Sequence, residues 1–195
     1  MKKEFNKYAE KPVRFEEYIA DKDSLIRDIM DEYGERLIRL SYTYVKNWED
    51  AEDIVQEVFT TCYEKIETFR GEGSLKSWLY TITVNRCKDH LKSWFHRNIW
   101  TGIVFEAFIP SPEKSPELKL IVDDEYRVLS EELLKLPIKY REILILHYQE
   151  NMSIQEISDL LTMKSSTVKS RLYRGRQQLK KAISRQEERG IMGGR

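Results

Sequence analysis

The sequence predicts an all-α protein with two helical domains joined by a proline-containing linker. Apolar residues recur at helical spacing through most of the chain, and no stretch shows the alternation expected of paired strands. Three prolines between Pro110 and Pro116 interrupt that pattern and mark the linker. The expected boundaries are an N-terminal extension at 1–23, a first domain at 24–97, a linker at 98–119, a second domain at 120–186 and a tail at 187–195.

Charge is balanced over the whole chain but is distributed unevenly along it. The 195 residues include 33 Lys and Arg and 33 Asp and Glu, so the net charge alone indicates no class of partner. Residues 49–57 hold five acidic residues and no basic one, whereas residues 160–186 hold eight basic residues and no acidic one. Such a chain is suited to present one part to a basic protein and another to nucleic acid.

Other features of the composition favour a cytoplasmic protein. No apolar run reaches the length of a membrane span, and residues 1–17 are too polar for a signal peptide. The two cysteines, Cys62 and Cys87, fall within apolar helical stripes. We expect buried free thiols there rather than a disulfide or a metal pair.

The stretch from Met152 to Ile183 predicts a helix-turn-helix. Ser153 and Glu156 form a capping-box pattern at the start of the first helix, and short polar residues at 162–165 indicate a turn. A second helix is expected to begin near Ser166 or Thr167. Its outward face and flanks carry the candidate DNA contacts, which are Ser166, Thr167, Lys169, Ser170, Arg171, Tyr173 and Arg174.

A basic amphipathic helix is also typical of a solvated face, a membrane surface or a partner-binding helix. Gly175 and Ala182 reduce the apolar side that a membrane helix would need. The capped helix and short turn in front also favour DNA binding over these alternatives.

A second informative helix is predicted from Glu49 to Phe69. Its apolar positions share one wide face, and the carboxylates lie opposite, at Asp50, Asp53, Glu57 and Glu64. Acidic residues in a first turn stabilise the helix dipole, but that effect fades before Glu57. Paired carboxylates also suggest metal or acid–base chemistry, although no His or Cys accompanies them. A docking surface for a basic partner is the preferred interpretation.

A glycine-containing loop at 69–74 precedes a long helix that includes Trp78. The loop lacks the spacing of a phosphate-binding loop. The second half of the helix groups polar and basic residues on one side: Asn85, Arg86, Lys88, Asp89, Lys92 and His96. This face suits single-stranded nucleic acid, and a merely solvated face fits the spacing equally well.

Four motifs in order resemble those of bacterial RNA polymerase sigma factors of the extracytoplasmic-function group. They are Asp50–Phe59 (DAEDIVQEVF), Trp78–Tyr80 (WLY), Leu136–Pro137 with Tyr140–Glu142 (LP and YRE), and Thr167–Arg171 (TVKSR). Together they cover roughly residues 25–95 and 120–183. The resemblance implies two helical domains, sigma regions 2 and 4, and a role as a promoter-specificity subunit that itself catalyses no reaction.

The resemblance also implies roles for particular residues. The acidic helix would bind core RNA polymerase through Asp50, Asp53, Gln56 and Glu57. Region 4 would read the minus-35 element of promoter DNA. The minus-ten element would be bound and melted by Phe69, Gly71, Gly73, Asn85, Arg86, Lys88, Asp89 and Lys92. Members of this group are commonly held inactive by an anti-sigma factor, often membrane-anchored. No cofactor and no small-molecule substrate are implied.

Three features depart from the family pattern. They are the extension up to Asp23, the apolar run Trp100–Ile109 within the linker, and Ser166 where the family often has glycine.

Two other functions remain open on the residues alone. One is a helix-turn-helix regulator that acts without being a polymerase subunit, and the other is a metal-dependent enzyme using Asp50, Asp53 and Glu57.

Overall fold

The computed structural model describes residues 21–69, 74–99 and 124–192 of the chain, and every regular element in these ranges is helical. The chain divides into two compact units, residues 1–109 and 110–195. The all-α prediction is therefore confirmed. Most of the predicted extension, the Trp100–Ile109 run and the glycines Gly71 and Gly73 lie outside the described residues.

The first unit contains helices α1 (Lys22–Val45), α2 (Trp48–Lys65) and α3 (Leu75–Ile99), with a 3₁₀ turn at Ile66–Thr68 after α2. Helix α1 begins at Lys22 because the Asp21 carboxylate accepts a hydrogen bond from the Ser24 N–H at 3.1 Å. Asp21 is thus the N-cap of α1. An aspartate cap also complements the positive end of the helix dipole.

A two-residue connection turns the chain from α1 into α2. Lys46 adopts the left-handed conformation at φ 57°, and Asn47 then caps α2 by accepting from the Asp50 N–H at 3.1 Å. The rings of Tyr42 and Trp48 stack at 4.0 Å across this connection. Helix α2 therefore begins at Trp48, one residue before the predicted start at Glu49.

The core of the first unit is formed by the apolar faces of these helices. Its fully or nearly fully buried residues include Leu25, Ile29, Leu37, Leu40, Tyr44, Ala51, Ile54, Val58, Ile66, Leu79, Tyr80 and Val84. Cys62 and Cys87 are buried within it as free thiols, as predicted. Burial raises the pKa of Cys62 to about 12 and that of Cys87 to about 11.

The second unit contains α4 (Asp124–Lys135), α5 (Ile138–Leu144), a π-helical segment (Ile145–Gln149), α6 (Ile154–Leu160) and α7 (Ser165–Met192). Pro137 of the Leu136–Pro137 motif separates α4 from α5. Helix α5 begins at Ile138 and widens into the π-helical segment.

An unexpected buried arginine fixes the junction between α4 and α5. The Arg141 side chain is almost fully buried and donates to the carbonyl oxygens of Leu134 and Leu136, the latter at 3.0 Å. Carbonyl groups at the end of a helix lack partners within it, so the guanidinium supplies hydrogen bonds that α4 cannot.

None of the helices in the described part of the chain is both long and apolar enough to cross a bilayer.

Candidate nucleic-acid and protein interfaces

Helix α6 begins with the predicted capping box. The Glu156 N–H donates to the Ser153 hydroxyl at 3.2 Å, and the Ser153 N–H donates to the Glu156 carboxylate at 2.8 Å. Two N–H groups that would otherwise lack partners are thereby satisfied. The box fixes where the first helix of the helix-turn-helix begins.

A serine hydroxyl holds the turn between α6 and α7. Ser158 donates to the Met163 carbonyl at 2.5 Å and accepts from the Ser165 hydroxyl at 3.2 Å. Thr162 adopts the left-handed conformation at φ 52°, which reverses the chain. Helix α7 consequently begins at Ser165, one residue before the predicted start.

Close packing against α5 determines which face of α7 is buried. Val168 is fully buried, and a Cβ added at Gly175 would lie 3.2 Å from Leu144 Cδ1 and 3.3 Å from Tyr140 Cβ. The lack of a side chain at Gly175 thus permits the close approach of α7 to α5. Most of the candidate DNA contacts are therefore directed away from the core and exposed: Ser166, Lys169, Ser170, Tyr173 and Arg174.

The other two candidates on this helix are partly buried. Thr167 belongs to the first turn of α7, and its carbonyl accepts from the Ser170 hydroxyl at 3.0 Å. The Arg171 guanidinium lies 3.8 Å from a carboxylate oxygen of Glu142 on α5. Glu142 is itself only 4% exposed, so Arg171 reaches toward the core of the unit.

On α2 the acidic face is separate from the core face. Asp53, Gln56 and Glu57 are exposed and Asp50 is partly exposed, while Val55 on the opposite side is buried. Within the described residues, Asp53 has no ion-pair partner. This face presents carboxylates and one amide, which suit a partner rich in Lys and Arg.

Two side chains of α3 approach this acidic face. Arg86 lies 3.4 Å from the Glu57 carboxylate and donates to the Thr61 hydroxyl at 3.2 Å. One turn further along, His90 lies 3.6 Å from the Asp50 carboxylate. These pairs are partly exposed to water, so each is worth at most about 1 kcal/mol. Arg86, predicted at the edge of a nucleic-acid face, thus bridges α3 to α2.

The remaining candidates on α3 lie on its solvent side. Asn85, Asp89 and Lys92 are exposed, with the Lys92 ammonium 3.0 Å from the Asp89 carboxylate, and Lys88 is partly buried. Phe69 packs against Trp78 with ring centroids 5.5 Å apart, which anchors the start of the glycine-containing loop on α3.

Sequence reasoning missed the partners of these groups. Thr61, His90 and Glu142 were not selected, because helical spacing defines a face within one helix but not which helix packs against it. The one signal for these pairings available in the sequence was opposite charge on neighbouring helices. Among the described residues, no group of three or more His, Cys, Asp or Glu is arranged to hold a metal ion.

Comparison with known proteins matches both units. The family Sigma-70 region 2 matches residues 29–94, and Sigma-70, region 4 matches residues 126–179. The ECF RNA polymerase sigma factor SigW of Bacillus subtilis is 30% identical over 171 residues, covering 84% of this chain and 91% of the relative. The chain belongs to the extracytoplasmic-function sigma factors. It is a promoter-specificity subunit of RNA polymerase, as its motifs predicted.

Further relatives of this sigma factor agree with that assignment. The RNA polymerase sigma factor SigV of Bacillus subtilis is 31% identical over 153 residues, covering 77% of this chain and 86% of the relative. The sigma factor RpoE of Bartonella quintana, solved in complex with the anti-sigma factor NepR, shares the fold with a TM-score of 0.69 at 23% identity. That match covers 81% of this chain and 98% of the solved chain. A match to both sigma regions does not favour a regulator that acts outside the polymerase.

Proposed function

We propose that this sigma factor binds core RNA polymerase through the acidic face of α2, formed by Asp50, Asp53, Gln56 and Glu57. The observation that carries the proposal is that these side chains reach solvent while the opposite side of the helix is buried in the core. Asp53 supports it most directly, because its charge is not engaged by an ion pair among the described residues.

The second unit is proposed to read the minus-35 element with α7. Ser166, Ser170, Tyr173 and Arg174 would face the major groove, and Lys169 would lie near a phosphate. Thr167 belongs to the same first turn. The exposure of these residues and the burial of Val168 support this orientation.

The first unit is further proposed to bind the opened minus-ten element. Asn85, Lys88, Asp89 and Lys92 on α3 would contact the single strand, with Phe69, Gly71 and Gly73 of the adjoining loop receiving an unstacked base. Unstacking costs a few kcal/mol, which base–aromatic and polymerase contacts would offset. Arg86 would contribute by joining this surface to α2.

The proposal also includes regulation by an anti-sigma factor, a cytoplasmic location and the lack of a catalytic step of its own. The sigma factor RpoE, a solved structure with this fold, was captured with the anti-sigma factor NepR. That precedent supports the same class of partner here.

The deciding test is a pull-down with core polymerase. Asp53→Lys, alone and combined with Glu57→Lys, should weaken binding by at least about tenfold, because two like-charged groups would meet at the interface. Asp28→Lys with Asp31→Lys on α1 is the charge-matched control, since both residues are exposed. Unchanged affinity for the α2 variants, with helical content intact by circular dichroism, would refute this docking surface.

A further inference from the structure

We infer that Arg171 is a positioning residue, paired with the buried Glu142, and that it does not contact a DNA phosphate. The inference rests on the proposed reading of DNA by α7 and revises the predicted role of one of its residues. The ion pair would fix the rotation of α7 on α5, and with it the direction in which the base-reading side chains point.

The burial of Glu142 is the first reason. Its side chain is 5% exposed, and the Arg171 guanidinium approaches it at 3.8 Å. A carboxylate removed from water costs free energy unless a positive charge or hydrogen bonds compensate. If Arg171 turned to a phosphate, Glu142 would lose the part of that compensation that Arg171 supplies, so the pairing competes with DNA contact.

The position of Arg171 around the helix is the second reason. With about 100° per residue, Arg171 lies about 60° from Val168, the centre of the buried face, whereas Lys169 lies about 100° away on the other side. Lys169 is exposed, and the Arg171 side chain is only 31% exposed. The two cations flanking the recognition surface are therefore not equivalent.

The contact at Gly175 is the third reason. There α7 touches Leu144 and Tyr140 of α5 through apolar atoms, which limits the distance between the helices. Apolar contacts, which also bury Val168 and Leu172 of α7, are non-directional. The Glu142–Arg171 pair lies one turn earlier on α7 and adds a contact of different chemistry that opposes rotation about the helix axis.

The two possible roles of Arg171 differ in their dependence on salt. A cation that neutralises a phosphate releases a counterion, so its removal lowers the slope of log affinity against log salt by about 0.9. A cation paired inside the protein releases none. Removal of such a paired cation would disturb the alignment of α7 with the bases and leave the sequence-independent affinity for DNA unchanged.

The test uses holoenzyme assembled from the full chain and core polymerase. The probes are a promoter duplex selected by the wild-type holoenzyme from a library randomised at minus-35, and a duplex of scrambled sequence. Binding is measured at several salt concentrations. Lys169→Gln should lower the slope by about 0.9 on both duplexes. Arg171→Gln should leave the slope unchanged, lower affinity for the promoter by about tenfold and spare the scrambled duplex.

Two further variants keep the test valid if Arg171→Gln is unstable. Glu142→Gln with Arg171→Gln removes both charges, so no buried carboxylate loses its positive neighbour and folding should recover. It should reproduce the loss of promoter affinity at an unchanged slope. Arg171→Lys, which keeps a positive charge near Glu142, should recover part of the promoter affinity.

The outcomes separate this inference from the proposed function. A slope lowered by Arg171→Gln as much as by Lys169→Gln would overturn the positioning role and restore Arg171 as a phosphate contact. If neither Lys169→Gln nor Arg171→Gln changes the slope, DNA binding by this face of α7 is refuted, and the inference fails with it.

Discussion

Arg174 is the residue of α7 best suited to read a base. It is exposed on the outward side of the helix, and a guanidinium can make two hydrogen bonds to the edge of guanine. Such a contact discriminates by about 1–3 kcal/mol against a wrong base. Arg174→Ala should therefore relax the preference at one or two minus-35 positions.

Transcription from a library randomised at minus-35 measures this effect. Lys169→Ala is the matched comparison, because an exposed lysine near a phosphate should weaken all promoters to a similar extent. A uniform loss from Arg174→Ala, with the preferred sequence unchanged, would show that the assumed facing of α7 is wrong.

Burial of the two thiols predicts that they react slowly with thiol reagents and that the stability of the native state depends on pH. Burial raises the pKa of Cys62 to about 12 and that of Cys87 to about 11, against about 8.5 for an exposed thiol. Above pH about 8.5 the unfolded chain loses these protons while the native chain keeps them. The thiols therefore stabilise the native state fully below that pH and progressively less as pH rises toward about 11 for Cys87 and about 12 for Cys62.

Thiol labelling with a disulfide reagent at pH about 8 checks the prediction. The native chain should react slowly, and the chain unfolded in guanidinium should titrate two thiols. The free energy of unfolding, measured from pH 8 to 10, should fall at the upper end. Rapid labelling of the native chain would contradict the burial.

At the scale of helices, patterns local in sequence were predictable and contacts between helices were not. The Ser153–Glu156 box and the stop at Pro137 follow from residues within one turn, and the structure has both. The π-helical segment at Ile145–Gln149 was missed because an apolar run has no signal for a widened turn. The burial of Arg141 was missed because its partners are the backbone carbonyls of Leu134 and Leu136, and every residue type carries the same carbonyl.

Two glycines within helices predict opposite effects of the same substitution. Glycine costs about 1 kcal/mol relative to alanine in a helix. At Gly34 an added Cβ would meet the Phe59 ring only at 4.0 Å, so Gly34→Ala should stabilise by up to about 1 kcal/mol. At Gly175 the added atom would press on Tyr140 Cβ at 3.3 Å, an atom fixed to the backbone of α5.

Overpacking of that kind costs about 1–3 kcal/mol, so Gly175→Ala should be destabilising overall. Denaturant midpoints of the two variants, followed by circular dichroism, test the pair, with each glycine serving as the control for the other. A gain in stability at Gly175 would mean that α7 can move away from α5 at little cost.

At the scale of the whole molecule, two compact units carry candidate surfaces of opposite charge: the acidic face of α2 and the basic face of α7. These two surfaces could be predicted from the sequence, because the charge of a residue and its position around a helix are both local properties. The pairs Glu57–Arg86 and Asp50–His90 did not follow, since they depend on how α2 and α3 pack. The exact domain boundaries stay a prediction, as do the roles of Gly71 and Gly73, which lie outside the described residues.

Promoter opening is the property that depends on the first unit as a whole. If α3 contacts the separated strand, Asn85→Ala with Lys88→Ala should reduce permanganate-reactive thymines at the promoter by about fivefold or more, the scale of one lost base contact. Binding of the closed complex should change little, because duplex affinity would reside mainly in α7. The matched control is Lys65→Ala, which removes an exposed cation from α2. Equal losses of thymine reactivity and of closed-complex binding would mean that Asn85 and Lys88 contact duplex DNA and take no part in melting.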